Sequence, residues 1–196
     1  MLIDLHCHTR PLSQCSALSP EQAVELARAR GLDGICLTEH DRWWDAVAID
    51  ELRQRTGFPI FQGVELTTDI GHVLAFGLPA TAVPLATIEA AYAAAEAAGG
   101  VLFLAHPARD GLLKVDHRTV ECFASVEAIN GSDSRLQNIA ATGLAQGFRL
   151  PGIAGSDAHT PAEVGRAATR FDGPIGSDPG LVAALLAGSY CAVSLE

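Results

Sequence analysis

The strongest constraint on this chain is where its histidines fall. Six of the seven stand at the ends of apolar strand-like runs or in the loop just beyond. His6-Cys7-His8 closes the run that begins Leu2-Ile3-Asp4-Leu5. The others occur in Glu39-His40, Gly71-His72, His106-Pro107 and Asp157-Ala158-His159, and only His117 lies elsewhere. On an extended strand, residues i and i+2 point to one face, so His6 and His8 can grip one ion while Cys7 turns away into the core. One such histidine alone reads more readily as a hydrogen-bonded structural imidazole. Six together, with Glu65 and Asp157 in matching places, describe a metal cluster. Imidazole and carboxylate suit zinc, manganese or iron, and the donors exceed what one tetrahedral ion needs.

Between these histidines the chain alternates short apolar runs with amphipathic stretches. Strands are expected at 2–6, 34–38, 60–66, 72–77, 101–105, 126–130, 152–155 and 190–194. Ser19-Pro20-Glu21-Gln22 reads as a helix start with a capping serine, and Gly31 as its stop. Further helices are expected over 85–98 and 134–146, briefly from Thr160-Pro161-Ala162-Glu163, and from Asp178-Pro179 to about Ala187. Such alternation implies a mostly parallel sheet covered by helices. Side chains from the ends of six strands converge naturally on the rim of a closed barrel and poorly on an open sheet. A full eightfold barrel takes about 250 residues. At 196 residues the chain is short for that, so a smaller, irregular α/β barrel of about seven strands is expected, forming a single domain over 1–196.

The formal net charge of −10 argues against coating extended nucleic acid. Bound cations would reverse the sign locally and admit a small anionic substrate. Five cysteines without CxxC spacing, and no secretory or membrane-spanning segment in the sequence, are expected of a cytoplasmic protein with reduced thiols and no membrane partner.

Taken in order, the motifs Asp4-Leu5-His6-Cys7-His8-Thr9, Ser19-Pro20-Glu21, Gly31-Leu32-Asp33-Gly34, Thr38-Glu39-His40-Asp41, Gly63-Val64-Glu65, His106-Pro107, Asn130-Gly131 and Gly155-Ser156-Asp157-Ala158-His159 resemble the polymerase and histidinol phosphatase (PHP) family of metal-dependent phosphoesterases. The resemblance spans roughly residues 2 to 170. It implies a distorted (β/α)7 barrel, two or three divalent ions (Zn, Mn or Fe), and three neighbouring sites. His6, His8 and Asp157 would hold the first ion. Glu65 would bridge it to a second, completed by His72 and His106. His40 and His159 would bind a third, where the family often adds a ligand from the loop after the first strand; here Cys15 is the candidate, beside the equally open reading of an uninvolved thiol. Glu39 replaces the family's usual aspartate and is expected to steady a ligand histidine. Asp4 and Asn130 are read as orienting groups.

Two cations sharing a carboxylate acidify a bridging water, and the resulting hydroxide attacks phosphorus in line. Glu65, Asp157 and His159 are the expected catalytic residues, His159 serving the leaving oxygen. Arg10, Arg42, Arg109 and Arg166, with Asn130, are candidates for binding a small phosphorylated substrate, with Lys114 and His117 weaker ones. Trp43-Trp44 reads either as a stacking wall for a substrate ring or as helix packing. A phosphomonoester or short nucleotide is the expected substrate. An amidohydrolase using the same centre, and a metal-stabilised module without turnover, remain alternatives.

Overall fold

A computed structural model describes residues 1–80, 84–109 and 119–195. Its elements run β1 (Leu2–Asp4), α1 (Pro20–Ala29), β2 (Gly34–Leu37), α2 (Ala46–Thr56), β3 (Ile60–Thr68), β4 (Gly71–Phe76), α3 (Ile88–Ala98), β5 (Val101–Leu104), β6 (Ser125–Asn130), α4 (Arg135–Ala145), β7 (Ile153–Gly155), β8 (Ala167–Phe171), α5 (Asp178–Ala187) and β9 (Tyr190–Ser194), with a short helical turn at Val120–Cys122. The expected helix starts are built as read. Ser19 and Gln22 cap α1 reciprocally, and Ser134 and Gln137 do the same for α4. Such caps satisfy amide groups that the first helical turn leaves unbonded.

One sheet holds all nine strands, in the order β7-β6-β5-β4-β3-β2-β1-β8-β9. Pairs β1–β2, β2–β3, β5–β6 and β6–β7 are parallel, whereas β4 runs antiparallel to both β3 and β5. Beyond β7 and β1 the chain continues extended, and these continuations meet. Asp157 N–H donates to His6 O at 2.7 Å and His8 N–H to Ala158 O at 3.1 Å, with Cys7 and Ala158 bridged in parallel. The sheet thus curls into a nearly closed α/β barrel, the distorted β/α barrel expected, with β1 to β7 as its wall. Lower down, β8 wedges beside β1 and closes the gap through a side chain. The buried Thr169 hydroxyl accepts from Ala154 N–H at 2.8 Å and donates to Ala154 O at 2.9 Å. Thr169→Val keeps the shape but strands both backbone groups in the interior. It is expected to cost about 2–4 kcal/mol in chemical denaturation, and a loss below about 0.5 kcal/mol would show that the wedge carries no such role.

Three apolar layers follow from strand alternation. Ile3, Leu5, Phe61, Leu74, Phe76, Phe103 and Ile153 fill the barrel, and Leu181, Val182 and Leu185 of α5 pack onto the same cluster. Outside, α1 and α2 cover the wall with Ala23, Val24, Ala27, Ile49 and Leu52, and α3 covers it with Ile88, Ala91 and Ala95. No helix among the described residues is long and apolar enough to cross a membrane, and none of the five cysteines is joined in a disulfide.

Four details depart from the sequence reading. Helix α2, capped by Asp45 and closed by Gly57 at φ +58°, and strand β8 are additional elements. Helix α3 begins at Ile88 rather than 85, because Thr87 caps Ala90 and Asp69 accepts the Ile88 N–H at 3.0 Å. Thr160–Glu163 forms a turn instead of a helix, since the Glu163 carboxylate folds back to accept the N–H groups of His159 and Thr160, each at 2.8 Å.

Candidate metal centre

The upper rim of the barrel gathers the histidines from separate elements. His6 and His8 lie on the continuation of β1, His40 just after β2, Glu65 within β3, His106 just after β5, and Asp157 and His159 beyond β7. His72 stands at the start of β4. Because β4 is antiparallel, its beginning meets the ends of the other strands. Three groups of ligand atoms, each mutually within 4.8 Å, result: His6, His8, Glu65 and Asp157; His40, Glu65 and His72; and His8, His40 and His159. They overlap, so this is one centre.

Glu65 is its hub. Oε1 lies 2.9 Å from both His72 Nδ1 and His106 Nε2, and 3.5 Å from His6 Nε2. Oε2 has His40 Nδ1 at 3.0 Å and His8 Nε2 at 3.2 Å. It is nevertheless buried without a hydrogen-bond partner among the described residues. Asp157 Oδ1 faces His8 Nε2 at 3.2 Å and His6 Nε2 at 3.4 Å, and the two Nε2 atoms are themselves 3.0 Å apart. Donor atoms crowded this closely, with carboxylate and imidazole lone pairs turned inward, make the arrangement that divalent ions need. The residues present therefore fit the metals that the sequence implied.

Electrostatics agree. Burial works to raise the Glu65 carboxyl, but His6, His106 and His40 around it prevail and hold it well below the usual carboxylate range. Asp157 is likewise lowered, burial being outweighed by His6 and His8. His6 moves upward despite burial because Asp157, Glu127 and Glu65 surround it. His159 is shifted downward by burial and by neighbouring His8, which favours neutral imidazole. Its Nδ1 lies 3.0 Å from Asp157 O.

Two residues of this cluster have strained backbones: His106 has φ +27° and Asp157 φ +52°, left-handed values that residues bearing a Cβ rarely adopt. The other expected residues are placed as follows. Arg109 reaches the centre, with Nη2 2.8 Å from Asp157 Oδ2 and Nε 2.7 Å from Asp133 Oδ1. Buried Asn130 donates through Nδ2 to Glu127 Oε2 at 2.9 Å and to Asp157 Oδ2 at 3.3 Å. Arg10 is exposed and turns back onto Ser16 O, Arg42 is exposed, and Arg166 packs beneath Gly131. Cys15 is exposed and belongs to none of the three groups; the third set is completed by His8 instead. Burial and the anions Glu39, Glu65 and Asp157 raise its thiol.

Glu39 does not touch a ligand histidine. It accepts from Thr9 N–H and Thr9 Oγ1 and, at 2.8 Å, from Trp44 Nε1, pinning the loop after β1. Asp4 accepts from Ser156 N–H at 2.8 Å and His6 N–H at 3.2 Å, clamping β1 to the β7 continuation. Trp43 and Trp44 line a groove of about 1140 Å³ on the outer wall, with Gly63, Ala75 and Val182. Lys114 and His117 lie outside the described residues. Sequence reasoning missed Glu127, which is wholly buried and holds His6 Nδ1 at 2.9 Å; a carboxylate inside the apolar run 125–130 was its only signal.

The family model described as the PHP domain matches residues 4–120, and a model described as PHP-associated matches residues 135–190. A 3′,5′-nucleoside bisphosphate phosphatase of Chromobacterium violaceum is 32% identical over 95 residues, a stretch that is 44% of this chain and 33% of that protein. The chain thus spans about a third of that relative's length. Among solved structures, a two-domain Bacteroides vulgatus protein, described as containing a predicted PHP-like metal-dependent phosphoesterase, superposes with TM-score 0.77 at 24% identity, covering 99% of this chain and 64% of that one. PsfC of Pseudomonas syringae gives TM-score 0.72 at 20% identity over 98% and 91% of the two chains. At these identities the structures speak to the fold.

Proposed function

The chain belongs to the PHP domain family, a family of metal-dependent phosphoesterases, and on that premise we propose that it hydrolyses a small phosphomonoester or short nucleotide with two or three divalent ions held at the rim. The observation that carries this reading is Glu65. One buried carboxylate faces five imidazoles and shares two of the three ligand groups. Divalent ions bound there would acidify a water and neutralise charge growing on phosphoryl oxygens. The proposed sets are His6, His8, Asp157 and Glu65; Glu65 with His72 and His106; and His40 with His159 and His8. One continuous sheet runs through both family matches, which supports treating residues 1–196 as a single unit.

The remaining residues divide the work around the ions. In this reading His159, with Nδ1 against the Asp157 carbonyl, would offer its other nitrogen to the third ion, on the side of the leaving oxygen. Arg109 presents a cation to the Asp157 carboxylate, and Asn130 donates to the same oxygen. The net charge of −10 and the phosphatase named among the relatives both favour a small anionic substrate over extended nucleic acid.

The test is initial-rate phosphate release from an aryl phosphate and a nucleoside 3′,5′-bisphosphate, with Mn²⁺, Zn²⁺ or Fe²⁺ supplied and with chelator. Metal-dependent release is expected. Ion-loaded protein that frees no phosphate from either would sink the reading, and amine release from amides would move it to the amidohydrolase class. Arg109→Ala is expected to raise KM by about 10–100-fold, since charge-assisted hydrogen bonds are worth about 1.5–3 kcal/mol. Arg109→Lys should recover only part, having lost the planar fork. An unchanged KM would exclude Arg109 from substrate binding.

A further inference from the structure

We infer that Glu127 is a positioning residue that fixes which face of His6 meets a metal ion and holds His106 in register with it. The inference rests on the metal-centre reading above. Glu127 belongs to none of the three ligand groups, yet it is wholly buried and its two oxygens are fully used. Oε1 lies 2.9 Å from His6 Nδ1. Oε2 accepts the His106 backbone N–H at 2.9 Å and the Asn130 amide at 2.9 Å.

A carboxylate only accepts, so a neutral His6 must keep its proton on Nδ1. Its bare Nε2 then faces inward, where Glu65 Oε1, Asp157 Oδ1 and His8 Nε2 lie within 3.5 Å. In the opposite tautomer an N–H would point at the ion. The second oxygen acts on the other side of Glu65. His106 sits at φ +27°, and its amide is held in that unfavourable conformation by the bond to Glu127. One side chain therefore aligns two ligands that flank the shared carboxylate.

The backbone is arranged to make this possible. Glu127 and Asn130 are three residues apart, and regular strand alternation would send them to opposite faces. The β6–β7 register slips between Glu127 and Ile129, so both side chains turn inward and bond to each other. Bulges that re-aim a side chain are concentrated beside functional sites.

Glu127→Gln tests the idea. Glutamine has nearly the same shape but one accepting end, so its amide NH₂ must confront either His6 Nδ1 or the His106 N–H. Zn²⁺ affinity, measured by competition with a chromophoric chelator, is expected to fall about 10–100-fold, with Glu127→Asp recovering part of the loss. Wild-type affinity and stoichiometry in Glu127→Gln would overturn the inference alone. A wild-type protein that takes up no Zn²⁺ would remove the metal reading and this inference with it. Should the variant not fold, imidazole nitrogen NMR of Zn²⁺-loaded wild type decides: a protonated Nδ1 on His6 supports the assignment, and an unprotonated one overturns it.

Discussion

Glu65→Gln should all but silence the metal centre. Removing one partner from a buried charge cluster costs about 3–5 kcal/mol, and at about 1.36 kcal/mol per tenfold that is roughly 10²–10⁴-fold in ion affinity. Phosphate release should fall at least as far, because the substitution touches two of the three ligand groups together. His72→Ala and His106→Ala remove donors from one side of Glu65 only, and each should leave the His6, His8 and Asp157 side able to take an ion. The comparison is made by metal titration alongside initial rates. If Glu65→Gln keeps ion affinity and rate within about tenfold of wild type, Glu65 is not the hub and the geometry around it has another purpose.

Gly155→Ala is expected to damage stability and site together. A Cβ at Gly155 would stand 2.4 Å from His6 Cβ, 2.5 Å from His6 N and 2.9 Å from His6 Cα, and backbone cannot swing aside as a flexible side chain does. Overpacking of this kind costs about 1–3 kcal/mol and occasionally more, which for a chain of this size lowers the melting midpoint by about 2–12 °C. The displaced atoms belong to the seam that sets His6 against Asp157, so ion binding should weaken in the same variant. Gly143→Ala in α4 is the control. Nothing lies within 4 Å of its added Cβ, and alanine there should match or slightly exceed wild-type stability. Equal melting curves for the two variants would mean that the seam tolerates separation.

The histidine pattern was readable because most of these residues stand at one end of an apolar run, and a run's end is visible without knowing what it pairs with. What depended on distant partners was not. Strand β8, Ala167–Phe171, has little apolar character of its own and exists because β1 and β9 flank it. The antiparallel sense of β4 is invisible locally, since a hairpin and a crossover can present the same strand sequence. Glu127 was hidden by the β6 irregularity, because counting by twos back from Asn130 lands on Ala128. Cys15 looked suitable by its position in the loop after β1, but it lies outside the three groups, and His8 joins His40 and His159 in the third. Glu163 resembled the third residue of a capped helix and serves instead to fix the backbone at His159.

The seam between His6 and Asp157 joins the first residues of the chain to residues about 150 positions later. On a ribosome, the amino-terminal histidines emerge long before the strand that completes their neighbourhood. Pairings of such sequence separation form late, because the intervening chain must first be ordered. In the proposed centre, an ion could be captured by His6, His8 and Asp157 together only once this seam had formed. A nascent or broken chain that lacks the β7 continuation would hold an incomplete claw, so loading of the proposed centre would report that the wall has closed.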